Sequence, residues 1–268
     1  MELVESMSVL PWNWNGSTSV ALLYHDVVSR EATDTSGVVT EGSWRYKLSP
    51  AAFEAHLRLI DESDFTPRLV GDEPERRSVY FTFDDGGRTA TTAATLLEKY
   101  GFKGHFFIIT DRIGKTGYLE WDQVEALSDA GHVVGSHTVS HANLLTADPE
   151  RRRHELAASK STIESRLGTC RSVSIPRGAH DKSVIAAASD IGYEFVFTSD
   201  PRRLGDGTLP SRIGRWNIWH DTGTEELMKI LQGSPAYFLK TSGRWELMQF
   251  LKRRIGHQRF IEIRDMLL

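Results

Sequence analysis

The sequence contains one cysteine, no long apolar run and no excess of either charge. Cys170 alone cannot form an intramolecular disulfide, so nothing in the chain depends on an oxidising compartment. Apolar stretches such as Phe106 to Ile109 are far shorter than the roughly 20 residues of a membrane span, so no transmembrane helix is expected. Lys and Arg total 32 against 36 Asp and Glu. Because this balance produces no basic field, nucleic acid is not an expected partner.

The composition is that of an ordinary folded protein. The chain has 268 residues, of which 40% are hydrophobic and 25% charged, and a chain of this size can bury a full core. We expect one domain over residues 1–268, with a core at 20–217 and a helical C-terminal extension at 224–268. Met1 to Asn15 carries acidic residues where a signal peptide needs positive charge, which predicts a cytoplasmic location.

Hydrophobic runs of strand length recur along the chain with helical patterns between most of them. The seven predicted strands are Val20 to Tyr24, Val79 to Phe83, His105 to Ile109, His132 to Gly135, Ser172 to Ile175, Phe195 to Thr198 and Arg212 to Trp219. The predicted helices begin at Ser49-Pro50, Thr89, Glu120 and Asp148-Pro149, and glycines end three of them: Gly101, Gly131 and Gly168. Such β-α alternation predicts an α/β fold of parallel strands with outer helices.

Polar residues follow most of the predicted strands, which favours a closed barrel over an open sheet. They are His25-Asp26, Asp84-Asp85, His137, Pro176-Arg177, Ser199 and His220-Asp221. In a parallel barrel the carboxyl ends of the strands surround one cavity, where active sites are built. The Gly-, Ser- and Thr-rich segment from Ser29 to Lys47 is predicted to be a long loop over that face or an irregular insertion.

Asp84 and Asp85 stand where an apolar strand becomes a glycine turn. Adjacent side chains on a strand point to opposite sides, but the turn can bring both carboxylates to one cavity. One can then bind a divalent cation while the other takes a proton from the water that the cation activates. The alternative is an Asp-Gly turn in which both residues only cap the next helix.

His137 and His141 are four residues apart in the segment Gly135 to His141. This spacing lets two imidazoles converge on one metal ion, although an isolated pair of this kind is a weak signal. Together with one carboxylate they would supply three ligands and leave positions for water and substrate.

These segments resemble the polysaccharide deacetylase family, carbohydrate esterase family four. The resemblance is carried by Thr82 to Gly86 and by Ser136 to His141 with Leu144. It extends to Leu23-Tyr24-His25, to Ile175-Pro176-Arg177-Gly178 and to Gly192-Tyr193, so that it covers roughly Val20 to Asn217.

The resemblance implies a distorted (β/α)7 barrel and a metal-dependent hydrolase that removes N-acetyl groups from amino sugars and releases acetate. It implies that Asp84 is the general base and that Asp85, His137 and His141 bind one divalent ion. Zn²⁺ is expected first, with Co²⁺, Ni²⁺ or Mn²⁺ as alternatives. The implied partner is an N-acetylated amino-sugar substrate.

The sequence departs from the family pattern at two places. Ser174 stands where the family usually has an arginine that orients the base, and we expect Arg177 to replace it, with Arg171 as the other nearby arginine. Asn217 to Asp221 only approximates the motif that carries the general acid. His220 is therefore the first candidate for that acid, and His25 is the second, although each is also compatible with an ordinary structural histidine.

Pro176 and Trp219 are the predicted substrate contacts. Tryptophans beside strands, including Trp121 and Trp216, are also commonly core residues.

The C-terminal tail from Gly243 is basic and has apolar residues at helical spacing. It is predicted to be a packed terminal helix, with peripheral membrane contact as the alternative.

Three other functions compete with deacetylation. They are a carbohydrate-binding barrel that has lost catalysis, another metal-dependent amidohydrolase acting on non-peptide C–N bonds, and a non-haem iron oxygenase with a facial triad. The β-α alternation argues against the oxygenase.

Overall fold

A computed structural model describes residues 19–29, 36–37, 39, 42–73, 77–204 and 212–234, and part of 236–243. Its strands are β1 (Val20–Tyr24), β2 (Asp26–Val27), β3 (Lys47–Leu48), β4 (Thr66–Pro67), β5 (Ser78–Phe83), β6 (His105–Ile108), β7 (Val133–Ser136), β8 (Ser172–Ser174), β9 (Phe195–Phe197), β10 (Arg212–Ile213) and β11 (Trp216–Asn217). Its α-helices are α1 (Pro50–Asp61), α2 (Ala90–Lys99), α3 (Trp121–Asp129), α4 (Pro149–Leu167), α5 (Lys182–Asp190) and α6 (Thr224–Gln232).

The main sheet is parallel and curls into the expected distorted (β/α)7 barrel. Its strand order is β10-β9-β8-β7-β6-β5-β1-β11, and β4 adds to β5 at the side. The two ends of this order, β10 and β11, are consecutive pieces of one predicted strand, so the edges of the sheet meet there. The prediction of a parallel α/β barrel is confirmed.

The seventh strand is broken, whereas the sequence predicted one strand from Arg212 to Trp219. Ile213 pairs with Phe197 of β9, and Trp216 pairs with Leu22 of β1. Gly214 lies at the break, where a Cβ atom would stand 2.6 Å from the carbonyl oxygen of Asp200. The break therefore lets one strand close the barrel by pairing with a different neighbour on each half.

Side chains of β5 alternate between the two sides of the barrel wall. Val79, Phe81 and Phe83 pack against the helices, whereas Tyr80 lies in a smaller apolar cluster of the barrel interior. Thr82 is buried and shares the inward face with Tyr80. The next inward position is Asp84, so the pleat itself directs that carboxylate into the cavity.

The outer helices begin and end near the predicted positions. Ser49 caps α1 by accepting a hydrogen bond from the Ala52 N–H at 3.2 Å, and Gly168 ends α4 in the left-handed region with φ of 77°. Helix α6 packs into the main core through Leu227, Ile230 and Leu231. The first helix of the predicted C-terminal extension therefore belongs to the same core as the barrel.

The segment from Ser29 to Lys47 was predicted to be a long loop over the carboxyl ends of the strands or an irregular insertion, and its described part contains regular secondary structure. Ser43–Tyr46 is a short 3-10 helix, and β3 pairs with β2. Residues Met1 to Asn15 and the tail with Trp245 to Leu251 lie outside the described residues, so the location and the terminal helix remain predictions. Within the described part of the chain, no helix has the length and apolarity that crossing a membrane requires.

Candidate metal centre at the mouth of the barrel

Asp84 and Asp85 lie at the mouth, the end of the barrel where the carboxyl ends of the strands meet. The Asp84 N–H donates a hydrogen bond to the Tyr24 carbonyl oxygen at 3.1 Å, which continues the pairing of β1 and β5 by one residue. Asp85 has φ of 75°, in the left-handed region. This turn brings the second carboxylate to the same side as the first, as the sequence required, and both residues are buried.

His137 and His141 occupy the loop that follows β7. The Nδ1–H of His137 donates to the carbonyl oxygen of Ser174 at 2.8 Å, so its Nε2 faces the carboxylates. The N–H of His141 donates to Thr138 Oγ1 at 3.1 Å, and both Thr138 and His141 have positive φ. The loop is thereby folded back so that two imidazoles four residues apart point to one place.

Asp85, His137 and His141 form a set of donors that fits a divalent metal ion. Asp85 Oδ1 lies 3.5 Å from His137 Nε2 and 3.6 Å from His141 Nε2. Ligands about 2.0–2.1 Å from a tetrahedral ion lie roughly 3.3 Å apart, so this spacing suits such an ion. Asp85 Oδ1 is buried and accepts no hydrogen bond from the described residues. A bound cation would satisfy this oxygen.

The charges of the site favour the metal-binding states of Asp85 and His141, whereas the burial of His137 is outweighed by the carboxylates of Asp84 and Asp85, which raise its pKa. Burial alone would raise the pKa of Asp85, but His137, with His25 and His141, holds it well below its ordinary value. Burial, with the charge of His137, lowers the pKa of His141 to about 4. His141 is therefore neutral near pH 7, which leaves its Nε2 lone pair available.

Asp84 is held by Arg215, a residue that the sequence reasoning missed. Arg215 Nη1 and Nη2 donate to the two oxygens of Asp84 at 2.7 and 2.8 Å, and Ser174 Oγ donates to Asp84 Oδ2 at 2.9 Å. Burial would raise the pKa of Asp84, but the charges of Arg215 and His137 and the Arg215 hydrogen bonds bring it below its ordinary value. Asp84 is thus an ionised, fixed carboxylate beside the three candidate metal ligands.

Arg215 was detectable as a charged residue inside a predicted strand. It is fully buried, lies over the rings of Phe107 and Phe197, and also donates to the carbonyl oxygen of Thr198. Arginine is almost never fully buried unless it is paired, so its place in an apolar strand signals a buried acid. Which acid it meets depends on the closure of the barrel.

The expectation that Arg177 is the partner of Asp84 is corrected, because Arg215 fills that position. Arg177 is exposed on the loop after β8, and its charge acts on His141. Arg171, the other arginine considered, forms an exposed ion pair with Glu194. The expected partners, Arg177 and Arg171, are close to Ser174 in the sequence, whereas the guanidinium that contacts Asp84 belongs to Arg215 of the seventh strand.

The two candidate acids occupy different surroundings. His25 is partly buried at the end of β1, and its charge lowers the pKa of both Asp84 and Asp85. Its Nδ1 is buried with no hydrogen-bond partner among the described residues. His220 packs against the Trp44 ring at 4.4 Å, with its Nδ1 3.5 Å from an oxygen of exposed Asp221. Of the two candidate acids, His25 is the one whose charge is found to act on the pKa of Asp84 and Asp85.

The predicted substrate contacts also lie at strand ends. Pro176 is buried and begins the turn that carries Arg177. Trp219 is 37% exposed beside Tyr46, whereas Trp216 is a core residue at 3%. Trp121 is half-buried on α3 beneath Arg166.

Glu155 of α4 is a second residue that the sequence reasoning did not identify. It is 4% exposed and accepts hydrogen bonds from the Ser140 N–H at 2.9 Å and the Ser140 hydroxyl at 2.5 Å. Ser140 precedes His141, so this carboxylate fixes the loop that holds a metal donor. Its sequence signal was weak, because a glutamate within a highly charged helix normally faces solvent.

Comparison with known proteins shows which family part of the chain resembles. Residues 71–196 match the family model for polysaccharide deacetylase. The peptidoglycan-N-acetylmuramic acid deacetylase PdaA of Bacillus subtilis is 28% identical over 169 residues, which are 59% of this chain and 60% of that protein. A chitooligosaccharide deacetylase of Bradyrhizobium is 29% identical over 140 residues, 50% of this chain and 62% of its own length. The chain thus spans about three fifths of these relatives.

A solved structure resembles the whole barrel. The Streptococcus pyogenes deacetylase PplD, in complex with acetate, superposes with a TM-score of 0.67 at 21% identity, covering 80% of this chain and 98% of that one. At this identity the likeness concerns the fold. Together with the motifs at Asp84-Asp85 and His137 to His141, the match to the family model shows that residues 71–196 are similar to the polysaccharide deacetylase family.

Proposed function

We propose that the protein is a metal-dependent N-deacetylase that hydrolyses the acetamide of an amino-sugar glycan to acetate and a free amine. The observation that carries this proposal is the juxtaposition of two units. Asp85, His137 and His141 offer three converging donors, and beside them Asp84 is held by Arg215. A barrel that only bound carbohydrate would have no use for an ionised base beside a metal site.

One divalent ion, Zn²⁺ first among the candidates, would be held by Asp85, His137 and His141. When bound, it would lower the pKa of a coordinated water toward about 7 and polarise the acetamide carbonyl. His137 contributes through Nε2, because its Nδ1–H is committed to the Ser174 carbonyl. That second hydrogen bond selects the tautomer and orients the ring.

Asp84 accepts the proton of the attacking water in this proposal. Its oxygen Oδ2 lies 3.8 Å from His137 Nε2, so the base is next to the donor set. Arg215 keeps the carboxylate ionised and prevents its rotation through two parallel hydrogen bonds. Because the carboxylate is already oriented, no free energy is needed to reorient it when the water reacts.

We assign the proton donor for the departing amine to His25 and not to His220. The support is electrostatic and positional. His25 follows β1, which pairs with the strand before Asp84, and its charge lowers the pKa of both aspartates, whereas His220 packs edge to face against Trp44. An amine leaves poorly as an anion, so a positioned acid is needed. The Ser140 N–H donates to Glu155, so it is not available to stabilise the developing oxyanion.

The test is metal analysis of the purified protein together with acetate release from a panel of N-acetylated sugars and simple acetamides. We expect about one divalent ion per chain and acetate release from sugars only. Release from acetamides without a sugar would favour the broader amidohydrolase function. Stoichiometric metal with no release from any substrate would favour a binding barrel. His25→Ala should lower turnover far more than His220→Ala if the acid is assigned correctly.

A further inference from the structure

Asp26 is a buried carboxylate that has no part in the mechanism described above. It directly follows His25 and is 5% exposed. Its Oδ1 accepts hydrogen bonds from the hydroxyls of Ser36 at 2.8 Å and Thr89 at 2.5 Å, and its Oδ2 lies 3.9 Å from Nζ of buried Lys47. A buried carboxylate is costly unless it is paired and hydrogen-bonded. Side chains from distant parts of the chain therefore offset the cost of its burial.

The backbone pairing that places the proposed acid beside the proposed base ends at these two residues. Tyr24 pairs with Phe83, and the Asp84 N–H donates to the Tyr24 carbonyl oxygen, so His25 and Asp84 are level on adjacent strands. The two chains then separate, because one continues into β2 and the other enters the left-handed turn at Asp85. The β1–β5 ladder therefore does not extend past the point where the acid and the base lie.

The side chain of Asp26 joins the two chains where they separate. Thr89, which donates to it, is the N-cap residue of α2 and follows the turn at Asp85. Gly87 of that turn and Gly37 lie so close that a Cβ atom on either would collide with an oxygen of Asp26. The carboxylate is thus enclosed by the turn on one side and by Gly37 on the other.

Lys47 connects Asp26 to a ring that packs against His25. Its Nζ also donates to the Ser36 carbonyl oxygen at 2.6 Å, and β3, in which it lies, pairs with β2. Tyr46, the residue before Lys47, has its ring centroid 4.6 Å from that of His25. The contacts of Asp26 therefore hold both the chain that carries the proposed acid and a side chain that packs on it.

We propose that Asp26, together with Thr89 and Lys47, is a positioning residue that sets the separation of His25 and Asp84. This inference rests on the proposed function. The described contacts of Asp26 are with the start of α2 and with the segment that holds Lys47, so it acts through the acid and the base and not on the substrate. Proton transfer by two groups in one site requires each to be held within about 0.5 Å of its productive position.

Steady-state acetate release by four variants tests the inference. Asp26→Asn should lower kcat about 10- to 100-fold, and Thr89→Val should lower it roughly fivefold, with KM and metal content unchanged. Thr89→Ser keeps the hydroxyl and should retain the native kcat. The Thr89 side chain makes no capping hydrogen bond, so Thr89→Val removes its bond to Asp26 without removing a helix cap. Asp26→Asn leaves buried Lys47 without its anion, and if that variant does not fold, the two Thr89 variants decide.

Ile60→Ala is the control for loss of stability. Ile60 is a core residue in the last turn of α1, which leads to β4 at the end of the barrel opposite the mouth. Thermal midpoints are measured for all variants, and the assays are run well below the lowest of them. Ile60→Ala should then lower the midpoint and leave kcat at its native value.

Three outcomes would overturn the inference. They are a native kcat in folded Asp26→Asn and Thr89→Val, a fall in kcat of the same size in Ile60→Ala, and loss of the metal in Asp26→Asn, which would place its effect on the ligands. If the native protein releases no acetate, the proposed function fails, and crystal structures of the native protein and Thr89→Val decide about Asp26. A change of about 0.5 Å or more in the separation of His25 and Asp84 would retain the inference, and an unchanged separation would end it.

Discussion

Arg215 donates two parallel hydrogen bonds to Asp84 at 2.7 and 2.8 Å. It lies between β10 and β11, the two halves of the broken seventh strand. The same guanidinium donates to Ser174 Oγ at 2.7 Å, the residue that stands where the family usually has its arginine. A serine at that place leaves space for a guanidinium from the seventh strand. The base is therefore supported from a different strand than the motif predicts.

Replacing Arg215 should impair the base and shift its titration. In Arg215→Met the pKa of Asp84 should rise, because burial then acts without the opposing charge. We expect turnover to fall roughly a hundredfold and the acidic limb of kcat/KM against pH to move to higher pH. Arg215→Lys should keep part of the charge effect without the two-pronged geometry. Urea unfolding must accompany the assay, since breaking a buried pair costs about 3–5 kcal/mol.

Two further variants separate support of the base from general stability. Arg177→Met is the control and should leave the acidic limb in place. Ser174→Arg combined with Arg215→Ser moves the guanidinium to the family position and should recover activity relative to Arg215→Ser alone. An unchanged acidic limb in a folded Arg215→Met protein would remove Arg215 from the mechanism.

Removing a metal ligand should abolish binding without unfolding the barrel. His137→Ala is expected to lose the ion, because two donors at the mouth do not hold it, whereas the core lies below. Elemental analysis after dialysis and circular dichroism measure the two effects. Full metal content in this variant would contradict the ligand assignment.

Asp84→Asn should separate metal binding from catalysis. The substitution removes a base but no proposed ligand, so the ion should stay bound while turnover falls a hundredfold or more. Metal content and acetate release of the same preparation are compared. Loss of the ion would indicate that Asp84 and Asp85 have exchanged roles.

Glu155→Gln should weaken metal binding from a distance. The amide can replace only part of the two hydrogen bonds that Ser140 donates, so the loop before His141 should loosen. We expect metal affinity to fall about 10- to 100-fold, as for other residues that orient ligands. Glu150→Gln, at the exposed start of the same helix, is the control. Equal affinity in both variants would show that Glu155 has no part in orienting the ligand.

The pair of His180 and Asp200 should make stability depend on pH. Burial opposes the charged imidazole, but the Asp200 carboxylate, 3.4 Å away, raises the pKa of His180 above its ordinary value. A raised folded-state pKa contributes stability below the unfolded pKa of about 6.5, which is lost as pH rises through the folded value. Between pH 6 and 8 the thermal midpoint should therefore fall more in the native protein than in Asp200→Asn. Parallel profiles would exclude the pair as a source of pH-dependent stability.

The sequence by itself determined the local structure and the three candidate metal donors. The period-2 run of β5 and its glycine turn direct Asp84 inward, and the spacing of His137 and His141 matches one ion. These are properties of neighbouring residues, so they can be read along the chain. The helix caps at Ser49 and Gly168 were predictable for the same reason.

Only the tertiary structure decided which distant groups meet. Arg215 reaches Asp84 across 131 sequence positions because the seventh strand breaks at Gly214 and closes the barrel. Likewise, Tyr46 meets His25 and Trp219 because β3 pairs with β2 and β11 pairs with β1. The sequence shows that a charged residue within an apolar strand needs a partner and that an aromatic residue needs a surface to pack against. Which residue becomes the partner depends on strand order and on closure of the barrel, and these follow from packing of the whole chain.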